Sequence, residues 1–148
     1  MDDFYDTALD VAKNYDVTTK PDSLVLYSVS YLPTRENKEK AFAFIKANPQ
    51  HVMIDHTPCG IKMIDMGLDD GRSGLKQEEV MYLWKVASKR MLEAASGNVT
   101  AFVKDADERS VFRSMELPTI LANDKIKTIN GEDKFAFAKN NFNLVINK

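Results

Sequence analysis

Ser110-Val-Phe-Arg-Ser-Met-Glu116 is a run of small and apolar residues that ends in one acid, and Leu117-Pro118 follows at once as the start of a proline-led helical turn. A lone carboxylate so placed is in position to sit at the mouth of a cleft. There it would stabilise a developing positive charge or attack as a nucleophile. The same Glu116 also suits a purely structural use, as an acid favoured by the helix dipole. Trp84 is the only tryptophan, and Ser88 lies one helical turn after it, so a helix would carry both on one side. An indole face suits a flat cationic ring through cation–π attraction, although an apolar helical face more commonly buries its Trp as core. His51, His56 and the single Cys59 form a thin ligand set with no paired motif, so no metal site is expected. His56 beside Asp55 offers a base, or a histidine that merely fills a polar site. With no Gly-x-Gly-x-x-Gly, a Rossmann-type dinucleotide site has no support.

These residues need elements to hold them. From Gln77 to Ala95, Val80, Leu83, Trp84, Ala87, Met91 and Ala94-Ala95 recur at the spacing of one helical face, and Gly97 stops the helix. Asn98 to Lys104 alternates and is β-branched or aromatic, which predicts a strand. Earlier, Asp2 to Tyr15 reads as a helix with Phe4, Ala8, Val11, Ala12 and Tyr15 on one face. Leu24 to Val29 is a short apolar run fit for a buried strand or a strand-like entry to the next helix. Glu36 to Ala47 is a second helix with Ala41, Phe44 and Ile45 inward, stopped by Asn48-Pro49. The stretch from His51 to Met66 reads as a strand at Val52-Met53-Ile54, a turn at Thr57-Pro58-Cys59-Gly60 and a short helix from Ile61. Gly67 to Gly74 is a polar, glycine-rich loop and the best candidate for a flexible segment. Lys125 to Ile129 predicts a strand, Asn130-Gly131 a hairpin turn, Lys134 to Asn141 a brief helix and Leu144 to Ile146 a final strand. Strands alternating with short helices favour a mixed α/β fold with a small, mainly parallel sheet.

In order, Trp84-x-x-x-Ser88, Ala94-Ala95-x-Gly97, the Val99 strand and Phe112-x-Ser114-x-Glu116 resemble the ADP-ribosyl cyclase and NAD glycohydrolase family, which includes animal ectoenzymes and shorter bacterial toxin domains. The resemblance implies a helical N-terminal part packed on a mainly parallel four-stranded C-terminal sheet, with the active cleft between them. It implies that Glu116 is the catalytic residue and that Trp84 stacks against the nicotinamide end. Ser88 would contact ribose or phosphate, or else bond to its own helix. Val25-Leu26-Tyr27-Ser28 resembles the family's Leu-Trp-Ser motif, with Tyr27 replacing a cleft Trp and Ser28 reaching a phosphate; Tyr27 equally suits buried core. Ile54-Asp55-His56-Thr57 falls where the family has an acidic-Thr motif that helps choose between hydrolysis and cyclisation. Asp55 would be that acid, shortened by one methylene. Ser110 and Ser114 would bind the pyrophosphate with nearby backbone N–H groups. Phe112 would wall the ribose, and Arg113 would pair with phosphate or simply face water.

The implied reaction is cleavage of the nicotinamide–ribose bond of NAD or NADP, giving nicotinamide and ADP-ribose, with cyclic ADP-ribose as a minor product. Nicotinamide leaves as a neutral molecule, so the demand is for a carboxylate that calms the ribosyl cation, as in sugar hydrolases. No cofactor is needed. An ADP-ribosyltransferase shares that cation, but its Arg, Ser-Thr-Ser and Glu-x-Glu elements do not occur in order. A non-enzymatic interaction domain, with Trp84 and Glu116 structural, is the other alternative.

With 44% hydrophobic and 28% charged residues, 148 residues suffice for one ordinary domain, residues 1–148, with a sizeable core. A net charge of −2 provides no basic field for nucleic acid. No apolar run approaches the roughly 20 residues that span a bilayer, and no basic-then-apolar leader opens the chain. One cysteine excludes an internal disulfide, unlike the secreted animal members. Small size and no disulfides resemble the bacterial toxin branch. That branch implies a domain carried on a secreted or cell-surface protein and acting in a target cell's cytoplasm. A cognate immunity protein would cover its cleft.

Overall fold

The computed structural model describes residues 3–28, 35–69, 71–106 and 110–142. In chain order these form α1 (Asp3–Asn14), β1 (Val25–Tyr27), α2 (Glu36–Ala47), a 3-10 turn (Ile54–His56), α3 (Pro58–Asp65) and α4 (Gln77–Ala94). Then come β2 (Gly97–Phe102), a π-helical turn (Phe112–Glu116), α5 (Leu117–Ala122), β3 (Ile126–Ile129), β4 (Glu132–Asp133) and α6 (Lys134–Phe142).

The mixed α/β architecture read from the sequence is the one observed. The four strands lie in the order β1-β2-β3-β4. β1 runs parallel to β2 and β2 parallel to β3, each pair separated in sequence by helices, as parallel pairing requires. β4 is antiparallel to β3 across Asn130-Gly131, whose φ values of 54° and 80° are those of a two-residue hairpin turn. One detail differs from the expected layout. The edge strand β1 comes from the N-terminal half, so the sheet is not confined to the C-terminal part.

On α4, Leu83, Ala87, Met91 and Leu92 are fully buried, and Val80 and Trp84 pack partly buried against the same core. The core also takes Ala8, Val11 and Ala12 of α1 as expected, whereas Tyr15 lies beyond the helix end and is 41% exposed. Two side chains tie elements together. The Arg90 guanidinium donates to the carbonyls of Ala12 and Tyr15 at 2.6 and 2.8 Å, and the Asn123 amide donates to Leu92 and Ala95 carbonyls at 2.8 and 3.1 Å. Both satisfy orphan carbonyls at the ends of α1 and α4.

The stretch from His51 to Gly60 departs from its sequence reading. Val52 makes only a parallel bridge to Leu24, and Ile54–His56 is a 3-10 turn. Thr57 to Gly60 is the beginning of α3 instead of a turn. The Thr57 hydroxyl accepts the Gly60 N–H at 3.0 Å and Pro58 occupies the first helical position, a strong local start signal. Gly60 is needed here because a Cβ would fall on the Ile54 carbonyl. The Gly67–Gly74 loop is pinned at its start: Leu68 is buried and its carbonyl accepts from Trp84. The expected strand at Leu144 to Ile146 lies outside the described residues.

Candidate active site

A cavity of about 570 Å³ opens beside β1 and is walled by α2, the 3-10 turn, the loop after α3, α4 and the π-helical turn. It collects side chains that are distant in sequence. Tyr27, Ser28, Asp55, Trp84, Ser88, Phe112 and Glu116 all line it.

Glu116 is placed by the widened turn. The Leu117 N–H donates to the Phe112 carbonyl, five residues back, and Pro118 comes next. A proline has no N–H for the carbonyl four residues back, and its ring crowds that carbonyl, so the wider register relieves both problems. The Glu116 side chain is only 7% exposed and makes no hydrogen bond or ion pair with any described residue. Burial alone pushes its carboxyl up from 4.5 to about 8. An acid buried without a partner is costly, and a cavity-lining position lets a ligand supply what the fold withholds.

Trp84 lines the same cavity, and its indole Nε1 donates to the Leu68 carbonyl at 2.9 Å. That bond fixes the ring's edge and ties the loop carrying Leu68 and Asp69, both lining residues, to α4. Ser88 is buried one turn further along the same helix. Tyr27 ends β1, its ring tilted against Phe42 at 6.2 Å between centroids. Its phenol is held above its usual range by burial, with the charges of Asp55 and Glu116 adding to the effect. Burial likewise raises Asp55; His56, its own backbone N–H and Lys38 oppose the rise, and Asp69 adds to it. Ser28 is buried and held by its backbone: its N–H donates to Phe102, and its carbonyl accepts from the Asn37 amide at 3.0 Å. Phe112 is buried between the cavity and the Phe142 ring, 5.9 Å away.

Three residues proposed for phosphate do not reach the cavity. The Ser110 hydroxyl accepts the Arg113 N–H at 3.2 Å, and the exposed Ser114 donates to the Ser110 carbonyl at 2.7 Å. Both hydroxyls are spent on starting their own helical turn, as small polar residues at such positions commonly are. Arg113 stacks its guanidinium over Phe142, 4.7 Å from the centroid. His56 is exposed and its Nδ1 accepts the Met53 N–H at 3.0 Å, so it shapes the 3-10 turn and does not line the cavity. Among the described residues no cluster of three His, Cys, Asp or Glu side chains could hold a metal. None of their helices is long and apolar enough to cross a membrane.

The cavity also uses residues that the sequence reading passed over, chiefly Lys38, Phe42, Asp69 and Met81. Lys38 and Met81 sit on the polar faces of amphipathic helices and Asp69 in a polar loop, where nothing in the spacing separates a lining residue from a solvated one.

The helical part against a short, mainly parallel sheet is the fold of the ADP-ribosyl cyclase type. A structure of CD38, which gives evidence for a conformationally flexible covalent enzyme–substrate complex, aligns over 91% of this chain and 82% of its own, with TM-score 0.50 and 13% identity. Apo porcine CD38 aligns over 86% of this chain and 66% of its own, with TM-score 0.49 and 18% identity. At these identities the likeness establishes fold alone. No protein-family model matches the sequence, and no curated protein matches it.

Proposed function

We propose that this chain is an NAD(P)+ glycohydrolase, and the observation that carries the reading is a buried Glu116 carboxyl, without a partner among the described residues, sharing one cavity with Trp84. The oxidised nicotinamide ring brings a positive charge. Next to that charge the Glu116 proton is released and the carboxylate becomes available at the anomeric carbon. As the C–N bond breaks, nicotinamide departs with the electron pair as a neutral molecule. Glu116 then stabilises the ribosyl cation or bonds to it, and the covalent complex described for CD38 supports the second course. Water completes the reaction by adding its oxygen to the same carbon, displacing the Glu116 carboxylate where the two are bonded, and giving up a proton to solvent, which yields ADP-ribose. Trp84 stacks on the departing ring, and Asp55 biases the outcome between water and an internal nucleophile, with cyclic ADP-ribose as the minor product. Tyr27, Ser28, Ser88 and Phe112 shape the ribosyl end. The chain's own residues carry all of these steps, with NAD or NADP as substrate and no cofactor.

Incubation with NAD tests the reading. Free nicotinamide and ADP-ribose support it; a labelled protein or nucleic-acid acceptor marks a transferase; no turnover leaves an interaction domain. Glu116→Gln keeps shape but removes charge, so turnover should fall at least about 100-fold, the loss typical of removing a main transition-state contact.

The biological setting we infer from size, the lone cysteine and the toxin-branch resemblance. The domain would be delivered by a secreted or cell-surface bacterial protein, deplete NAD in the target cytoplasm and be neutralised in its producer by an immunity protein over the cleft. Cytoplasmic expression should lower cellular NAD and stop growth, and the Glu116→Gln variant should do neither.

A further inference from the structure

The substrate proposed above carries a diphosphate, yet the carboxyls lining the cavity are Asp55, Asp69 and Glu116. Wherever these acids are ionised they repel a dianion, so the diphosphate needs a cation beside it. Among the described residues that line the cavity, one cationic side chain remains, Lys38. It projects from the first turns of α2, its ammonium 5.9 Å from the centroid of the Phe42 ring. No hydrogen bond or ion pair with a described residue occupies it. Its neighbours are committed elsewhere: Lys40 and Lys104 both pair with Glu36, at 3.2 and 3.8 Å.

The placement of Lys38 is built into the fold. The adjacent Asn37 is buried, and its amide donates to the carbonyls of Ser28 at 3.0 Å and Lys104 at 2.9 Å. Those bonds fix the start of α2 across the ends of β1 and β2, which places Lys38 in the cavity wall. Phe42, one turn further on, is 39% exposed, and Met81 of α4 is 44% exposed; both line the cavity. Among the described residues the cavity therefore holds three carboxyls and one ammonium, and that ammonium stands beside the exposed Phe42 and acts through its charge on Asp55.

We propose that Lys38 is the specificity-determining residue for the diphosphate of the dinucleotide, and that it orients the substrate with its cationic ring toward Glu116. The inference rests on the glycohydrolase reading and adds a role that neither Ser110, Ser114 nor Arg113 fills. A point-charge ammonium recognises phosphate without fixed geometry, so Arg should serve partly in its place.

The test compares NAD with nicotinamide riboside, which has the same scissile bond and no phosphate. Lys38→Met should raise KM for NAD roughly tenfold, the loss of one charge-assisted contact, with kcat nearly unchanged. Cleavage of the riboside should not change, Lys38→Arg should recover most of the NAD affinity, and added salt should weaken NAD binding in the wild type more than in Lys38→Met. An equal loss on both substrates, or no loss on either, overturns the assignment. If the wild type cleaves neither substrate, the glycohydrolase reading fails by itself, and calorimetry then decides the Lys38 role. ADP-ribose should bind the wild type about tenfold more tightly than Lys38→Met, while adenosine should bind both alike; equal ADP-ribose affinities overturn it.

Discussion

Glu116 has a thermodynamic signature that can be read without any substrate. Its carboxyl moves from an ordinary 4.5 to about 8 on folding, with burial the only cause. Below pH 4.5 both folded and unfolded chains hold the proton, and the group adds no pH dependence. Between 4.5 and about 8 the unfolded chain releases it while the folded chain keeps it. The folded state then binds more protons, so stability falls as pH rises, by about 1.4 kcal/mol per pH unit, and levels off above 8. From pH 5 to pH 7 the cost amounts to about 3 kcal/mol. Glu116→Gln is neutral throughout and escapes it. Relative to wild type, the variant should therefore gain about 3 kcal/mol between pH 5 and 7, or roughly 6–12 °C in Tm for a chain of this size. Paired thermal melts at several pH values measure the difference, and ionisations common to both proteins cancel. A difference that stays flat from pH 5 to 8 would refute the claim that burial raises this acid. A stabilised but inactive variant is what a strained functional group should produce.

Other expectations follow from the same geometry. If the chain cleaves NAD as proposed, kcat/KM should climb with pH up to about 8 as Glu116 ionises, while kcat should reach its plateau at lower pH because a bound pyridinium favours the carboxylate. Trp84→Phe keeps an aromatic face but loses the donor to Leu68, so proteolysis should open the 67–74 loop faster while NAD turnover falls less than in Trp84→Ala. Gly60→Ala drives a Cβ into the Ile54 carbonyl and should cost roughly 1–3 kcal/mol in denaturant melts; in turnover it should alter the ratio of cyclic to linear product by shifting Asp55. Ser114→Ala removes only a bond within its own helical turn, and NAD kinetics should stay within about twofold of wild type.

Periodicity alone was enough to place α2, α4 and the β2 strand, because each has an apolar face or a β-branched alternation long enough to outweigh local competitors. The Asn130-Gly131 turn was equally legible, since few dipeptides accept two left-handed residues in succession. Between His51 and Gly60 the local signals conflicted. An apolar Val52-Met53-Ile54 looks like a strand, yet the His56 ring, the Thr57 cap and the absence of a Cβ at Gly60 together favour a tight turn into a helix. Around the site, the ordered motifs singled out Glu116 and Trp84, but Ser110 and Ser114 share their local pattern and face elsewhere.

By itself the sequence determined which segments could be helices and strands, and that one acid stood before a proline in an apolar run. Only the tertiary structure decided that this acid would be buried with no hydrogen bond or ion pair to a described residue, and that Lys38, Asp55 and Asp69 from three separate segments would meet it in one cavity. Periodicity reports which face of an element avoids water. It carries no information on which polar residues, each harmless at the surface of its own helix or loop, are brought to the same hollow when those faces close on one another.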